Sequence, residues 1–331
     1  MVWIVPKAGA KMTAIGPVPL DEIRAAQTRI ADLIVRTPLI RLNTDDAPAE
    51  IYLKLENLQP SGAFKLRGTV NAIRMADEEQ LERGVWTVSS GNMALSVAWA
   101  ARHFGLDCTV LVSDDAPEAK LSAIARLGAK TIKIPWAEVL EIARVRGREG
   151  MEGLFVHPFS DPAVMAGNAT VGLEMVEDLP DVDAVVIPYG GGGFAASVAS
   201  AVRALRPEAK LYAAEVESGA SFAASLAAGR PVEIEHAPSF VSGIGSPFVF
   251  EHMWPLVSDI LDGSVVSSLE ETAAAVKLVA ERNRVVAEGA GASSVAGALS
   301  GKAGSGKVAC VVSGGNIDSG KLAKILQGMV P

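Results

Sequence analysis

Residues 182–193 read Val-Asp-Ala-Val-Val-Ile-Pro-Tyr-Gly-Gly-Gly-Gly, and a helical pattern follows over residues 194–205. The near-continuous apolar run is typical of a strand that is buried on both faces of a sheet. A strand, a glycine loop and a helix in this order predict an α/β fold with mostly parallel strands. Residues 184–202 carry no charge, but Pro188 and four glycines interrupt them, so a membrane-spanning helix is not expected.

The same alternation of strand and helix patterns continues on both sides of this stretch. Strands are predicted over residues 50–55, 84–88, 108–112, 130–134, 210–215 and 307–312. Helices are predicted over residues 21–35, 64–76, 93–104, 116–127 and 139–147. The chain of 331 residues is long enough for two lobes, because a single core rarely grows beyond about 250–300 residues.

The glycine loop, Gly190 to Gly193, is in principle a cradle for phosphate. Glycines let the backbone approach an anion, and free N–H groups at a helix start stabilise the negative charge. A dinucleotide site requires Gly-x-Gly-x-x-Gly, and a nucleoside-triphosphate loop ends in Lys-Ser or Lys-Thr. Neither pattern is present. A flexible loop at a sheet edge is the alternative interpretation.

A second informative segment is Ser61-Gly62-Ala63-Phe64-Lys65-Leu66-Arg67-Gly68. It places a lysine near a predicted helix start, directly after an aromatic residue and between two glycines. A lysine attacks carbonyl compounds when its amine is partly desolvated or lies close to other positive charge. Arg67 is expected to supply part of that charge. The alternative is an ordinary solvated lysine.

Two further loops combine serine, glycine and asparagine after a predicted strand: Ser89-Ser90-Gly91-Asn92 and Ser313-Gly314-Gly315-Asn316. N-capping of the following helix is one explanation for these residue types. In open parallel sheets, however, ligands bind outside the carboxyl ends of the strands. We therefore expect the three strand-end loops to surround one crevice.

With these four segments in this order, the chain resembles the serine/threonine dehydratase and serine racemase family of pyridoxal-phosphate enzymes. The similarity extends from about residue 23 to residue 326, and it includes Leu53-Lys54-Leu55-Glu56-Asn57-Leu58-Gln59 and His157-Pro158-Phe159-Ser160-Asp161-Pro162. The resemblance implies fold type II of these enzymes, the tryptophan-synthase-β type, with a two-lobed open parallel sheet. Residues 1–83 and 160–331 would form a large cofactor-binding domain, and residues 84–159 a small substrate-side domain.

The resemblance also implies roles for individual residues. Lys65 would form the Schiff base with pyridoxal 5'-phosphate and act as a general base, with Phe64 packed beside the cofactor ring. Asn92 would contact the phenolic oxygen, and Ser313 would face the pyridine nitrogen. The cofactor phosphate would be held by Gly190, Gly191, Gly192 and Gly193. The substrate would be bound by Ser89, Ser90 and Asn92.

These residue types favour β-elimination. A neutral serine hydroxyl opposite the pyridine nitrogen does not keep it protonated as a carboxylate would, so the cofactor becomes a moderate electron sink. The chain is thus interpreted as an ammonia-lyase that converts a small β-hydroxy amino acid, threonine or serine first, to a 2-keto acid and ammonia. Ser90 leaves serine racemase open, because the racemases of this family carry a serine there as a second acid/base.

Several positions depart from the family pattern. Met93 replaces a histidine, Pro238-Ser239 replaces Asp-Gly, and Gly243 replaces a serine that contacts substrate in the racemases. Leu140 aligns with an arginine near the racemase substrate. These changes disfavour 3-hydroxyaspartate as the substrate but leave a 3-hydroxyaspartate dehydratase open. They also leave open a cofactor-binding protein without turnover. A dinucleotide-binding oxidoreductase is a third alternative, argued from the glycine loop alone.

The divalent-cation site of the family is only partly present. Glu215 matches its glutamate, but Ser221 stands where an aspartate is expected. Hard cations prefer several oxygen ligands, most of them charged. No complete metal site is therefore predicted, but a weaker divalent-cation site built from Glu215, backbone carbonyls and water stays open. A solvated acid at a strand end is the alternative interpretation of this residue.

Bulk properties exclude several other classes of protein. The net charge of −8 and the lack of a clustered basic segment argue against a nucleic-acid partner. The two cysteines, Cys108 and Cys310, lie in apolar runs and indicate buried thiols of a reducing compartment. The apolar start, residues 1–6, is too short for a secretion signal. A cytoplasmic enzyme is expected, and the resemblance implies a homodimer.

Overall fold

The computed structural model describes residues 15–331, so the apolar N-terminal residues and the first part of the predicted large domain lie outside the described residues. Over the described part of the chain the strands are β1 (Leu39–Arg41), β2 (Glu50–Leu55), β3 (Val85–Val88), β4 (Cys108–Ser113), β5 (Lys130–Ile134), β6 (Leu154–Phe155), β7 (Ala184–Pro188), β8 (Lys210–Val216), β9 (Gly263–Ser267) and β10 (Lys307–Val312).

The α-helices alternate with these strands. They are α1 (Leu20–Ile30), α2 (Lys65–Met75), α3 (Glu78–Glu82), α4 (Asn92–Phe104), α5 (Glu118–Arg126), α6 (Trp136–Val145), α7 (Pro162–Asp178), α8 (Gly193–Leu205), α9 (Ser221–Ala228), α10 (Trp254–Ile260), α11 (Leu269–Leu278), α12 (Gly289–Leu299) and α13 (Ser319–Leu326). Among residues 15–331, no helix combines the length and the apolar character needed to cross a membrane.

The strands form two sheets. The six-stranded sheet has the order β1-β2-β10-β7-β8-β9, and its strands are parallel except β1, which pairs antiparallel with β2. The four-stranded sheet has the order β5-β4-β3-β6, and its neighbouring strands are all parallel. The predicted α/β class with mostly parallel strands is confirmed. The division into two lobes at residues 84 and 159 stays a prediction.

The core of the larger sheet explains the apolar run quoted first. Every residue of β7 is buried, because α8 packs on one face of the sheet and α12 packs on the other. Small residues let α7 approach its neighbouring helices closely. A Cβ atom at Gly172 would lie 2.5 Å from the carbonyl oxygen of Val198 in α8. The fully buried β7 confirms the interpretation of residues 182–187 as a strand rather than part of a spanning helix.

Helix α2 is held against α7 by a pair of facing glycines. A Cβ atom at Gly68 would meet the Val164 carbonyl oxygen at 2.5 Å, and one at Gly167 would meet the Arg67 carbonyl oxygen at 2.5 Å. The two backbones therefore touch, and neither position can accept a side chain without a shift of the helices. This contact accounts for Gly68 in the lysine segment and fixes the start of α2, where Lys65 lies.

The predicted boundaries differ from the observed ones by a few residues at several helix ends. Helix α1 ends at Ile30 rather than at residue 35, and α6 begins at Trp136 rather than at residue 139. Helix α5 begins at Glu118 because Pro117 occupies its N-cap position in an extended conformation. A proline cannot continue a hydrogen-bonded turn from the preceding residues, so such starts follow the proline closely.

Candidate active site

The predicted site residues surround one cavity of about 300 Å³. The loop after β3, the loop after β7 and the residue after β10 all open into it, and the start of α2 lies beside them. Its lining includes all of the predicted catalytic, cofactor and substrate residues: Phe64, Lys65, Ser89, Ser90, Asn92, Gly190, Gly191, Gly192, Gly193 and Ser313. The expected convergence at the carboxyl ends of parallel strands is therefore present.

Lys65 is the first residue of α2 and points into the cavity. Its Nζ donates a hydrogen bond to the carbonyl oxygen of Pro158, and the backbone N–H of Phe64 donates to the Ser313 carbonyl oxygen at 3.0 Å. Loss of hydration lowers the pKa of Lys65 from 10.5 to about 8. A substantial fraction of the amine is then neutral near physiological pH, and the neutral form is the nucleophile.

The expectation that Arg67 supplies charge beside Lys65 is wrong. Arg67 is 1% exposed and points away from the cavity, where its guanidinium donates to Glu56 and Glu174. Lys54, also buried, donates to Glu174 at 2.6 Å and completes a cluster of two cations and two anions. Burial alone is the cause of the lowered pKa of Lys65. Arg67 instead ties α2 to α7.

The glycine loop turns directly into α8. Gly192 has φ +84°, a left-handed conformation that favours glycine, and it caps the helix. Cβ atoms at Gly191 and Gly193 would lie 2.7 Å from the Phe159 ring and 1.8 Å from the Phe159 carbonyl oxygen. Within residues 15–331, the N–H groups of Gly190, Gly191 and Gly192 donate no hydrogen bond. The loop therefore presents free donors and the positive end of a helix dipole to the cavity.

The loop after β3 presents a similar arrangement at the start of α4. The Ser89 hydroxyl accepts a hydrogen bond from the Gly91 N–H at 3.1 Å, and Gly91 is the N-cap residue of α4, which has no side-chain cap. The interpretation of Ser90 as a helix cap is thus wrong. Its side chain lines the cavity and has no hydrogen-bond partner among the described residues.

Ser313 lies at the end of β10, in the centre of the larger sheet. The residue is 3% exposed, and over the described part of the chain its hydroxyl has no hydrogen-bond partner. Ser313 lines the cavity, so its hydroxyl is open to a ligand there. A ligand with a polar atom at this position can form a hydrogen bond with it.

Comparison with known proteins identifies the family. Residues 30–314 match the family described as pyridoxal-phosphate dependent enzymes. The chain belongs to this family. An L-threonine ammonia-lyase of Thermotoga maritima is 40% identical over 323 residues, which cover 95% of this chain and 79% of the relative. The predicted resemblance is confirmed at the level of the family.

Solved structures give the same result. The structure of maize serine racemase has a TM-score of 0.83 and 33% identity, and the match covers 94% of this chain and 97% of the relative's chain. The structure of the processed form of threonine deaminase isoform 2 from Solanum lycopersicum has a TM-score of 0.80 and 29% identity. The match covers 98% of this chain and 99% of the relative's chain. Both relatives have the fold type II architecture. The predicted fold is therefore confirmed.

Members of the family bind pyridoxal phosphate, and the residues of this cavity fit that group. Lys65 provides an amine of lowered pKa for the covalent link. Gly190, Gly191 and Gly192 provide free N–H groups for a phosphate, and Ser313 provides a hydroxyl in the cavity for a ring nitrogen. Phe64 stacks on Phe194 with 3.6 Å between ring centroids, which gives the cavity a rigid aromatic wall beside Lys65.

Sequence reasoning missed His157, although it quoted the segment that contains it. His157 is buried, and its Nδ1 accepts hydrogen bonds from the backbone N–H groups of Phe159 and Ser160. Its Nε2 therefore carries the hydrogen and donates to the Ala143 carbonyl oxygen at 2.9 Å. Burial lowers the pKa of His157 well below 6.5, so the ring is neutral. It fixes the loop that supplies the Pro158 carbonyl oxygen to Lys65.

Sequence reasoning also missed Glu288 and Lys120, which both line the cavity. Glu288 accepts a hydrogen bond from the Asn92 amide at 2.6 Å, and burial raises the pKa of its carboxyl group. Burial lowers the pKa of Lys120. Glu288 follows no strand and Lys120 lies within a helix, so neither has the loop context that marked the other residues.

Glu215 lies outside the cavity and is only 1% exposed, so the interpretation as a solvated strand-end acid is wrong. Its two carboxylate oxygens accept hydrogen bonds from the N–H groups of Phe222 and Ala223, at 2.9 and 2.8 Å. Ser264 donates a further bond at 2.6 Å. Glu215 therefore anchors the start of α9. Residues 15–331 contain no cluster of three acidic, histidine or cysteine side chains that could hold a metal ion.

Proposed function

We propose that this chain is a pyridoxal-phosphate ammonia-lyase acting on small β-hydroxy amino acids, with threonine and serine as the first candidates. The observation that carries the proposal is that Lys65 and Ser313 line the same cavity. The amine of Lys65 is desolvated, and Ser313 is a neutral hydroxyl where a carboxylate would favour other chemistry. The Thermotoga maritima relative, described as an L-threonine ammonia-lyase, supports the same assignment.

In the proposed reaction the bound cofactor supplies the electron sink that acidifies the α-carbon. Ser89 and the backbone N–H groups at the open N-terminus of α4, including that of Asn92, bind the substrate carboxylate, while the Asn92 side chain contacts the phenolic oxygen of the cofactor. The Lys65 amine takes the α-proton as a general base, and the resulting ammonium donates to the Pro158 carbonyl oxygen. The β-hydroxyl leaves as water with one proton, which balances the proton that Lys65 takes from the α-carbon and leaves its amine neutral again. Hydrolysis of the released aminoacrylate consumes one water, so the net products are a 2-keto acid and ammonia.

The walls of the cavity support a small substrate with an apolar β-substituent. Met93, Trp136 and Val139 line the cavity on the side of the four-stranded sheet, and Phe159 closes it near the glycine loop. These side chains exclude water and accept a methyl group. Among residues 15–331, Lys120 is the one cationic lining residue besides Lys65, and its presence keeps a dicarboxylate among the substrates to be tested.

The test is 2-keto acid release by the purified, cofactor-loaded protein. L-Threonine, L-serine, D-serine and both threo isomers of 3-hydroxyaspartate are supplied separately, and Lys65→Ala is the matched control. The proposal expects product from threonine or serine that disappears in Lys65→Ala. Absence of product from every substrate, with the cofactor bound covalently at Lys65, would contradict the proposal and favour a binding protein without turnover.

Racemisation is a second candidate function, and Ser90 is the observation that favours it. The Ser90 hydroxyl lies in the cavity without a partner among the described residues, where it can deliver a proton as a second acid/base. The maize relative, described as a serine racemase, supports this candidate. A Ser90→Ala variant separates the two functions. If the chain racemises serine, the variant loses D-serine formation but retains elimination from the L-isomer.

We also propose the wider organisation that accompanies this function. Residues 84–159 form a small lobe that closes over substrate, while the rest of the chain forms the large lobe and the enzyme is a cytoplasmic homodimer. The four-stranded sheet, whose strands lie between residues 85 and 155, supports the small lobe. Light scattering coupled to gel filtration tests the dimer, since a monomer would have a mass of 34.4 kDa.

A further inference from the structure

Asn316 belongs to one of the four motifs, yet the proposed function gives it no role. Its side-chain nitrogen, Nδ2, donates to the Ser61 carbonyl oxygen at 2.9 Å and to the Asn92 Oδ1 atom at 2.8 Å. Asn92 Nδ2 in turn donates to Glu288 Oε1 at 2.6 Å. These bonds form a continuous chain from the lysine segment to the acid that sequence reasoning missed.

This hydrogen-bond network allows only one orientation of the Asn316 side-chain amide and one of the Asn92 side-chain amide. A backbone carbonyl oxygen can only accept, so Asn316 must turn its nitrogen toward Ser61. Both hydrogens of that nitrogen are then used, and the second meets the oxygen of Asn92. Asn92 must therefore turn its own nitrogen toward the Glu288 carboxylate, which accepts. One hydrogen of Asn92 Nδ2 remains for a ligand, while its oxygen is already in use.

Two glycines provide the space for this arrangement. A Cβ atom at Gly62 would lie 2.4 Å from Asn316 Oδ1. A Cβ atom at Gly314 would lie 2.5 Å from Glu288 Oε1 and 3.0 Å from Asn92 Nδ2. The Gly315 N–H also donates to the Gly62 carbonyl oxygen at 2.9 Å, which binds the two loops together. The glycines of two separate motifs are thus required by the same polar groups.

The bonded groups come from both sides of the cavity. Asn92 begins α4, directly after β3 of the four-stranded sheet. Asn316 follows β10 in the centre of the six-stranded sheet, and Glu288 precedes α12, which packs on β10 and β7. The two hydrogen bonds of the Asn92 side chain therefore join the two halves of the site.

We propose that Asn316 and Glu288 are positioning residues that hold the Asn92 amide in one orientation, with an N–H rather than an oxygen left for the bound cofactor. The proposal rests on the role proposed for Asn92, which is to contact the phenolic oxygen of pyridoxal phosphate. An oxygen that carries negative charge binds an N–H and repels a carbonyl. The orientation therefore decides whether Asn92 attracts the cofactor or weakens its binding.

The test compares isosteric variants of the pyridoxal-phosphate-loaded full chain. Asn316→Asp places a carboxylate oxygen against Ser61 and Asn92, so Asn92 loses its donor and is free to reverse. We expect about tenfold weaker pyridoxal-phosphate binding and a shifted absorption band of the bound cofactor. Glu288→Gln keeps an oxygen that accepts from Asn92 and is expected to retain both properties, whereas Glu288→Ala is not.

Asn283→Asp is the matched control. Asn283 also uses both ends of its amide, donating to the Arg41 carbonyl oxygen at 3.0 Å and accepting from the Asn43 N–H at 3.1 Å, but it does not line the cavity. This variant is expected to bind the cofactor as the parent protein does. If Asn316→Asp does not fold, Asn316→Ala removes the donor without adding an opposing charge and is expected to weaken binding about threefold.

Wild-type affinity and an unchanged absorption band in a folded Asn316 variant would overturn the proposal. Equal losses in Asn316→Asp and Asn283→Asp would overturn it as well, because they would indicate a general effect on stability. Both readouts are measured without substrate. A failure of the dehydratase proposal, seen as cofactor binding without product, is therefore distinguishable from a failure of this one.

Discussion

At the scale of single residues, the cavity contains a lysine whose pKa is low for one reason only. Its amine is removed from water, and the neighbouring arginine that would have offered a second reason is neutralised by two carboxylates. Desolvation penalises the charged form of an amine and leaves the neutral form almost unaffected. Lys65 is therefore a nucleophile at lower pH than an exposed lysine.

Attachment of pyridoxal phosphate to the cofactor-free protein should follow this pKa. The pKa in the folded protein, about 8, lies below the usual value of 10.5, so the neutral fraction rises as the pH approaches 8 and levels off above it. Stopped-flow absorbance gives the attachment rate at each pH, and Nα-acetyl-lysine serves as the solution control. A rate that still rises tenfold per pH unit beyond about pH 9 would contradict the assigned pKa.

The buried charge cluster makes a second prediction at this scale. Arg67→Met leaves Glu56 and Glu174 with one cation, Lys54, for two buried carboxylates. Removing one partner from a buried ionic cluster typically costs about 3–5 kcal/mol of unfolding free energy. Urea denaturation of the cofactor-free protein measures that loss.

Arg83→Met is the control for the cluster, because Arg83 pairs with Glu79 on the exposed face of α3. Its expected cost is below about 1 kcal/mol. Similar losses in both variants would show that the buried cluster contributes nothing special to stability. Lys65 itself is unchanged in either variant, so cofactor attachment can be checked in the same samples.

At the scale of elements, the first and last glycines of the loop before α8, Gly190 and Gly193, have different surroundings. A Cβ atom at Gly193 would lie 1.8 Å from the Phe159 carbonyl oxygen, whereas one at Gly190 would first meet the Ile244 Cα atom at 3.6 Å. The first position is crowded by the protein backbone. At the second position, an added Cβ atom would make only ordinary contacts with the protein.

Gly193→Ala should therefore destabilise the cofactor-free protein, by about 1–3 kcal/mol, because the loop that contains Phe159 must move. Gly190→Ala should leave the stability of that form almost unchanged. Thermal unfolding without cofactor separates the variants. A reduced melting temperature in Gly190→Ala, equal to that in Gly193→Ala, would contradict the contrast.

The sequence predicted the elements that carry polar or glycine residues directly after an apolar run. The loops after β3, β7 and β10 follow this pattern, and parallel strands place their carboxyl ends at one edge of the sheet. The partner of Asn92 was not identified, since Glu288 lies 196 residues away in the chain and has no periodic signal. The expectation that Arg67 supplies charge beside Lys65 is wrong because sequence spacing does not show which neighbours a long side chain meets.

At the scale of the whole molecule, one aromatic side chain is well placed to report movement of the four-stranded sheet. Trp136 begins α6 and lines the cavity, but it is 57% exposed. An indole at the edge of a cavity loses solvent contact when the two sides approach. We therefore expect the proposed closure over substrate to bury Trp136.

Addition of L-serine to the cofactor-loaded protein should shift the tryptophan emission to shorter wavelength, and Trp136→Phe should remove most of that shift. Trp99→Phe is the control, since Trp99 stacks on His103 in α4 and does not line the cavity. Steady-state fluorescence is sufficient for the measurement. An undiminished shift in Trp136→Phe would contradict burial of this side chain.

The position of β10 has a consequence for biosynthesis. It lies between β2 and β7, so residue 307 pairs with residue 50, and the six-stranded sheet stays in two parts until β10 has left the ribosome. The four-stranded sheet needs only strands from residues 85–155 and can be completed much earlier. Until then the edges of β2 and β7 are unpaired, and such edges promote aggregation. Nascent chains that stall before residue 307 are therefore the form of this protein that most needs a chaperone.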